Sequence, residues 1–492
     1  IEVVRGNVSS LYGSEAIGGV IQIFTKHGRG APAFNVSEGV GSHGTQRLSA
    51  GWGGTVENTE FNIQASRFNT DGVSAINPAI YPNANPDNDG YDNTSVSANV
   101  RHAFNADHSV SASAFNSTGH NQYDNAYGAP TDINTNDARV SKLSLASEDR
   151  LGETWMSKLQ LAQGVDSYQD YLNGAPVAGG SLYKTSSQQL SWQNTVGFGA
   201  GKQLLAGVEY LGQQVDSDLQ PQYDRDYRKV KSLFAGYTGS YGRHQVQINA
   251  RHDNFSDFGI ANTGLLGYGY SLTESWRIAG STSTAFKAPT FNDMFYPFIN
   301  YGFGYSYQGN PNLQPEESRN NEVGVHYAAD SQRVDIVYFD NRIHNLIVGN
   351  GLPAYTMINL NEARIDGVEV SYNGQFGDTG VRVAAVTQNA RDVTTGSALP
   401  PRANQHGSVA LTQKLGALQV GGEWQYSDGR VDTDGVHTMP AYSVLNFSAA
   451  YALSKELKLA VRADNVTNQD DSNAYGYNPL GRVFYVSLSY QQ

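Results

Sequence analysis

Two kinds of residue in this chain could do chemistry: clustered carboxylates and crowded aromatic rings. Asp124, within Tyr123-Asp124-Asn125, is followed by Asp132 and Asp137, and a second acidic stretch holds Asp166 and Asp170. Calcium takes six to eight oxygens from carboxylates, amides and carbonyls, so two neighbouring acidic segments that converge could hold one or two ions. The competing reading is that aspartates in long loops form turns and stay solvated. The run Asp87-Asn88-Asp89-Gly90-Tyr91-Asp92 looks like part of a calcium loop but lacks the downstream glutamate, and reads as a turn. The rings lie in residues 287–315, where Phe291, Phe295, Tyr296, Phe298, Tyr301, Phe303, Tyr305 and Tyr307 follow one another closely. Exposed, they suit a bulky, partly apolar ligand, with Tyr296, Tyr301, Tyr305 and Tyr307 as its contacts; alternatively they pack on each other to hold a long loop compact. Catalysis finds no matching pattern: there is no His-Glu-x-x-His, no Gly-x-Ser-x-Gly and no phosphate loop, and the 11 histidines are dispersed.

The elements that must position these residues are strands. From residue 33 apolar side chains recur at every second position, as in Leu204, Ala206, Val208, Tyr210 and in Phe484, Val486, Leu488, Tyr490. Segments of about 10–16 residues with one apolar and one polar face fit a barrel with lipid outside and polar groups inside. A soluble sandwich uses shorter strands and turns its apolar face inward. The connections alternate between tight turns and long loops rich in Asp, Asn, Gly and Pro, which places short turns on a periplasmic rim and long loops outside. Counting segments predicts an all-β, transmembrane antiparallel barrel of about 22 strands, the size of plugged outer-membrane transporters. Tyrosines near strand ends, among them Tyr237, Tyr268, Tyr338, Tyr451 and Tyr490, read as an aromatic girdle or as ordinary strand formers.

Composition agrees. No apolar run approaches the roughly 18 residues of a membrane-spanning helix. The net charge of -13 offers no basic stripe for nucleic acid, and the absence of cysteine excludes a disulfide scaffold.

Residues 1–26 have another texture: a strand-like start (Ile1, Val3, Val4), a turn at Tyr12-Gly13-Ser14, and the run Val20-Ile21-Gln22-Ile23-Phe24. They read as the end of a domain whose front lies outside this chain. This stretch resembles the closing plug signature of TonB-dependent outer-membrane receptors, most nearly the vitamin B12 (cobalamin) transporter branch, with Asn7 where proline is usual. Ala285-Phe286-Lys287-Ala288-Pro289-Thr290, Gly309-Asn310-Pro311-Asn312-Leu313-Gln314-Pro315-Glu316, Ala363-Arg364-Ile365-Asp366-Gly367-Val368-Glu369 and Asp464-Asn465-Val466-Thr467-Asn468 resemble further barrel motifs of that family.

The resemblance implies residues 1–28 as the C-terminal end of a plug and 29–492 as the barrel. It implies a protein of the bacterial outer membrane, among lipid and lipopolysaccharide, that is not an enzyme. Its expected function is active import of cobalamin or another corrinoid, driven by a TonB-type energy-transducing partner. A ferric-siderophore receptor of the same build is the alternative, and a passive porin or adhesin a more distant one. In the cobalamin branch aspartates of two outer loops bind calcium, which implies metal roles for Asp124 and Asp137, with Asp132 and Asp170 beside them.

Overall fold

The computed structural model describes residues 1–302, 304–351 and 354–492, and the side chains of 360 and 361 are left aside. Phe303, one of the rings grouped above, lies outside these residues. Among the described residues, 22 long strands pair antiparallel, each with its neighbours, into one closed barrel. The last strand, Val483–Gln491, pairs with the first, Ala33–Gly41, from Tyr485↔Gly41 to Gln491↔Asn35. Closure leaves no edge whose N–H and C=O groups would face lipid unpaired, the condition for crossing a membrane with strands.

The strand Tyr227–Tyr241 shows how sequence becomes wall. Arg228, Val230, Ser232 and Phe234 are buried toward the lumen, while Leu233 on the alternate face is exposed. Side chains alternate because the pleat has period two, and lipid replaces a protein core as the apolar solvent. Tyr237 and Tyr268 stand on the outer face near the tight turns. Those turns at 57–58, 242–243, 330–331, 377–378 and 416–417 each open on a residue at positive φ, which matches the right-handed twist of the flanking strands.

The alternation of loop lengths is not strict. On the long-loop rim the connections 42–45 and 256–258 are short. Strands also run further outward than the pattern suggests: Asp137 lies in Asn134–Arg150, and Asp166 and Asp170 lie in Trp155–Leu172, so all three are wall residues.

Residues 1–28 lie inside the barrel. Glu2–Arg5 pairs with Gly19–Gln22, and a single helical turn, Ser9–Tyr12, packs on the strands from Tyr227–Tyr241 to Trp276–Lys287. Asn7, 2% exposed, donates to the Ser318 hydroxyl (3.0 Å) and the Ser283 carbonyl (3.3 Å), bonds that a proline there could not make. Arg5 pairs with Glu369 of the wall at 2.5 Å.

Candidate ligand-binding site

The aromatic loop is built on a helix too short to persist alone. Thr290 caps it reciprocally: its hydroxyl accepts from the Asp293 N–H (3.1 Å), and the Thr290 N–H donates to the Asp293 carboxylate (2.8 Å). Phe291–Phe295 then buries Phe291, Met294 and Phe295 against Val215 and Leu313. Beyond it, Tyr305–Gln308 runs parallel to the start of Ala354–Phe376, with Tyr307 opposite Tyr355. Gly309 folds back beneath the helix, its N–H donating to the Tyr296 carbonyl at 2.9 Å.

From this base a line of rings crosses the mouth. Centroids step from Tyr168 to Tyr183 (6.3 Å), Tyr223 (6.4 Å), Tyr296 (5.6 Å), Tyr307 (4.9 Å) and Tyr355 (5.7 Å). The Tyr296 and Tyr301 hydroxyls are 3.2 Å apart, Tyr307 donates to the Asn292 carbonyl (2.9 Å), and Tyr223 donates to the Asn292 side chain. Burial pushes the Tyr223, Tyr296 and Tyr307 hydroxyls up from their ordinary range, Tyr307 to about 12. The row is therefore a neutral surface of ring faces and hydroxyl groups.

The structure thus brings Tyr296, Tyr301 and Tyr307 together. Tyr305, 46% exposed, joins no ring pair among the described residues. Local spacing gave no sign of Tyr168, Tyr183, Tyr223 and Tyr355, which come from other strands and loops. Strand register could have exposed one pair, since Tyr168 and Tyr183 sit directly opposite each other.

Below the rings lies a cavity of about 340 Å³ lined by Tyr12, Glu15, Tyr183, Arg228, Arg251 and Phe291. Its cations are already committed: Arg228 to Asp257 (2.6 Å), and Arg251 to Asp253 (2.9 Å) and Glu209 (3.4 Å). Arg228 also donates to the Pro289 carbonyl at 2.6 Å and lies 5.1 Å from the Phe291 ring centre. On the other side of this hinge, the Phe286 and Ala288 N–H groups donate to the Ser9 and Ser14 hydroxyls at 3.3 and 3.0 Å. The loop's base is thereby bonded both to the wall and to the lumenal segment.

The acids sort differently. Asp137 pairs in register with Gln169 and Asp170 with Asn136, so the two carboxylates project from opposite faces of the wall. Asp137 is held by His120 at 2.7 Å, and Asp132 closes its own turn by accepting from the Ala129 N–H at 2.8 Å. Asp124 instead meets the run read as a turn: Asp87, Asp89 and Asp124 bring carboxylate oxygens within 4.8 Å of one another. Asp124 accepts from the Ile76 N–H (3.1 Å) through one oxygen, and its other oxygen is buried without a hydrogen-bond partner among the described residues. Burial, then the charges of Asp124 and Asp87, push Asp89 up to about 7 against the opposing bond from the Ala75 N–H. Three crowded carboxylates with a spare buried oxygen fit a hard divalent cation.

A family model described as TonB dependent receptor-like, beta-barrel matches residues 34–466. The chain belongs to that family. Among curated relatives, the vitamin B12 transporter BtuB of Photobacterium profundum is 27% identical over 509 residues, spanning 100% of this chain and 79% of its own length. A BtuB of Vibrio vulnificus is 28% identical over 508 residues, with the same coverage. Among solved structures, a mutant of the ferric enterobactin receptor PfeA of Pseudomonas aeruginosa superposes with a TM-score of 0.83 at 18% identity, covering 100% of this chain and 84% of that one. The ferric yersiniabactin uptake receptor FyuA of Yersinia pestis gives 0.78 at 16%, with coverage of 100% and 84%. These last two likenesses establish the fold. The receptor is a TonB-dependent β-barrel of the outer membrane, in a family of transporters and receptors rather than enzymes.

Proposed function

We propose that this receptor binds cobalamin or a related corrinoid at the tyrosine row and passes it inward under the pull of a TonB-type partner. Residues 1–28 are read as the closing part of a plug, and 29–492 as the barrel around it. The observation that carries the reading is the row itself: six neutral rings across the mouth, with Arg228 and Arg251 of the cavity below spent on carboxylates and Arg225, beside Phe295, donating to the Tyr227 and Ser256 carbonyls. A corrinoid is bulky and largely uncharged at its rim, so ring faces and hydroxyl donors suit it. Ferric catecholate siderophores are anions and would call for free arginine or lysine, although the structural likeness to PfeA, one form of which is in complex with enterobactin, keeps them as the second reading. A segment bonded inside the lumen argues against an open porin.

Asp87, Asp89 and Asp124 would hold a calcium ion, which would supply charge neutralisation and fix the loop 71–90 against the segment after Tyr123. Asp89 and Asp124 hold that loop through the Ala75 and Ile76 N–H groups whether or not they carry the ion.

The test is equilibrium binding of cyanocobalamin and of ferric siderophores to the purified receptor, with calcium or with a chelator. Cobalamin binding that calcium strengthens is the expected result. Siderophore binding without cobalamin binding overturns the substrate, and equal binding under chelation overturns the metal role.

A further inference from the structure

Five charged side chains line the cavity beneath the tyrosine row: Glu15, Glu209, Arg228, Arg251 and Asp253. Four of them are committed to ion pairs, Arg251 with Asp253 and Glu209, and Arg228 with Asp257. Beside the cavity, Lys287 reaches Glu316 at 3.9 Å, and the Asp293 carboxylate accepts from the Thr290 N–H. Glu15 is left over. Among the described residues it forms no ion pair, and its carboxylate accepts one hydrogen bond, from the neighbouring Ser14 hydroxyl at 3.3 Å.

Glu15 is also placed to be met from outside. It is exposed to the cavity that Tyr183 of the row and Phe291 line as well. Ser14, just before it, ties the lumenal segment to the loop's base by accepting from the Ala288 N–H at 3.0 Å. The Glu15 backbone stands at φ 71°, in the left-handed region where glycine is the easier choice. The chain therefore carries a carboxylate here against its own backbone preference, a cost that functional sites often bear. Loss of surrounding water raises this carboxyl above its ordinary range, against the opposing pull of Lys287 and the Ser14 hydroxyl. A carboxylate so short of donors gains from a new N–H and is penalised by a second anion.

Resting on the corrinoid reading above, we propose that Glu15 sets the receptor's ligand specificity. Its carboxylate accepts a hydrogen bond from the primary amide of one corrinoid side arm that reaches past Tyr183, and it rejects a ligand that brings a carboxylate to the same place. A corrin ring is too large for a cavity of about 340 Å³, whereas one amide arm fits. Arg228 and Arg251 do not rescue an anionic arm, because Asp253, Asp257 and Glu209 already hold them. A hydrogen bond to an ionised acceptor is stronger than a neutral one, and facing like charges discriminate by repulsion.

The experiment measures equilibrium binding of cyanocobalamin, and of its derivatives with one side-arm amide hydrolysed to a carboxylate, to the purified full chain with calcium at neutral pH. At least one of these acids should bind the unaltered receptor about tenfold or more weakly than cyanocobalamin. E15Q and E15G should bring that ratio close to one, by gaining the acid and losing part of the affinity for cyanocobalamin. E15D, which keeps the charge on a shorter arm, should retain part of the discrimination. A merely structural role would weaken all ligands together and leave the ratio where it was. Heat-modifiable gel mobility shows that each variant is folded, and E15G, which suits the left-handed backbone, decides if E15Q is not. Acids that all bind the unaltered receptor as tightly as cyanocobalamin overturn the proposal, as does an unchanged ratio in a folded E15Q or E15G. Absence of cyanocobalamin binding to the unaltered receptor instead overturns the corrinoid reading, and the role of Glu15 with it.

Discussion

Tyr307 sits in the outer loop with its hydroxyl bonded to the Asn292 carbonyl, and burial keeps the hydroxyl protonated to about 12 against an ordinary 10.0. An acid whose folded pKa is raised favours its protonated form in the fold, so stability is intact below about 10 and falls as pH rises through 10 to 12. Ligand affinity and resistance of the loop to protease should accordingly be flat up to about pH 10 and decline above it, a profile that Tyr307→Phe should flatten. Tyr296→Ala or Tyr307→Ala removes a ring from the middle of the row and should weaken corrinoid binding roughly tenfold to hundredfold, by loss of about 1–3 kcal/mol of contact. Tyr305→Ala should leave titration isotherms unchanged. Single residues were only partly legible in the sequence. The run around Tyr296 announced itself by density, whereas Asp137 and Asp170 are near in space but on opposite faces, a matter of strand parity that a loop reading could not supply.

The hinge at 286–290 and the helix after it act together, because three backbone groups there have partners elsewhere: the Phe286 and Ala288 N–H groups on Ser9 and Ser14, and the Pro289 carbonyl on Arg228. Arg228→Met would strand the fully buried Asp257 carboxylate without its cation, a loss of roughly 3–5 kcal/mol. Protease cutting within 287–315 should appear, and R228M/D257N should recover most of the protection. Gly309→Ala would put a methyl group 2.7 Å from the backbone of Met294 and of Tyr296, atoms that cannot swing away. Overpacking of about 1–3 kcal/mol should lift the helix from its seat and reduce ligand binding without altering the barrel's heat-modifiable mobility. At this scale the strands were legible from dyads such as Leu204 to Tyr210, since one lipid-facing side chain in two is a strong periodic signal. The helix Phe291–Phe295 was not, because its seat is made by Leu313 at the other end of the loop and by Val215, far away in sequence.

For the whole molecule, alternating turns and loops foretold the barrel despite the short connections at 42–45 and 256–258, because the tight turns on the other rim still fixed the hairpins. What the pattern could not contain is the position of residues 1–28, which depends on partners such as Ser283 and Ser318. Deleting 1–28 should leave a folded barrel, since its closing strands pair with each other, and should raise single-channel conductance in planar bilayers. Unchanged conductance would show that the segment does not obstruct the lumen. The seam also sets the tempo of folding. Ser37 and Ser489 touch at 2.8 Å across 452 positions of chain, so the last ladder waits for the whole wall to be in place. Long loops must be closed before such distant contacts are rewarded, which makes the final step slow and leaves two bare strand edges open to mispairing until it is complete. The receptor's most vulnerable moment is the wait for its last nine-residue strand, Val483–Gln491, to find its first.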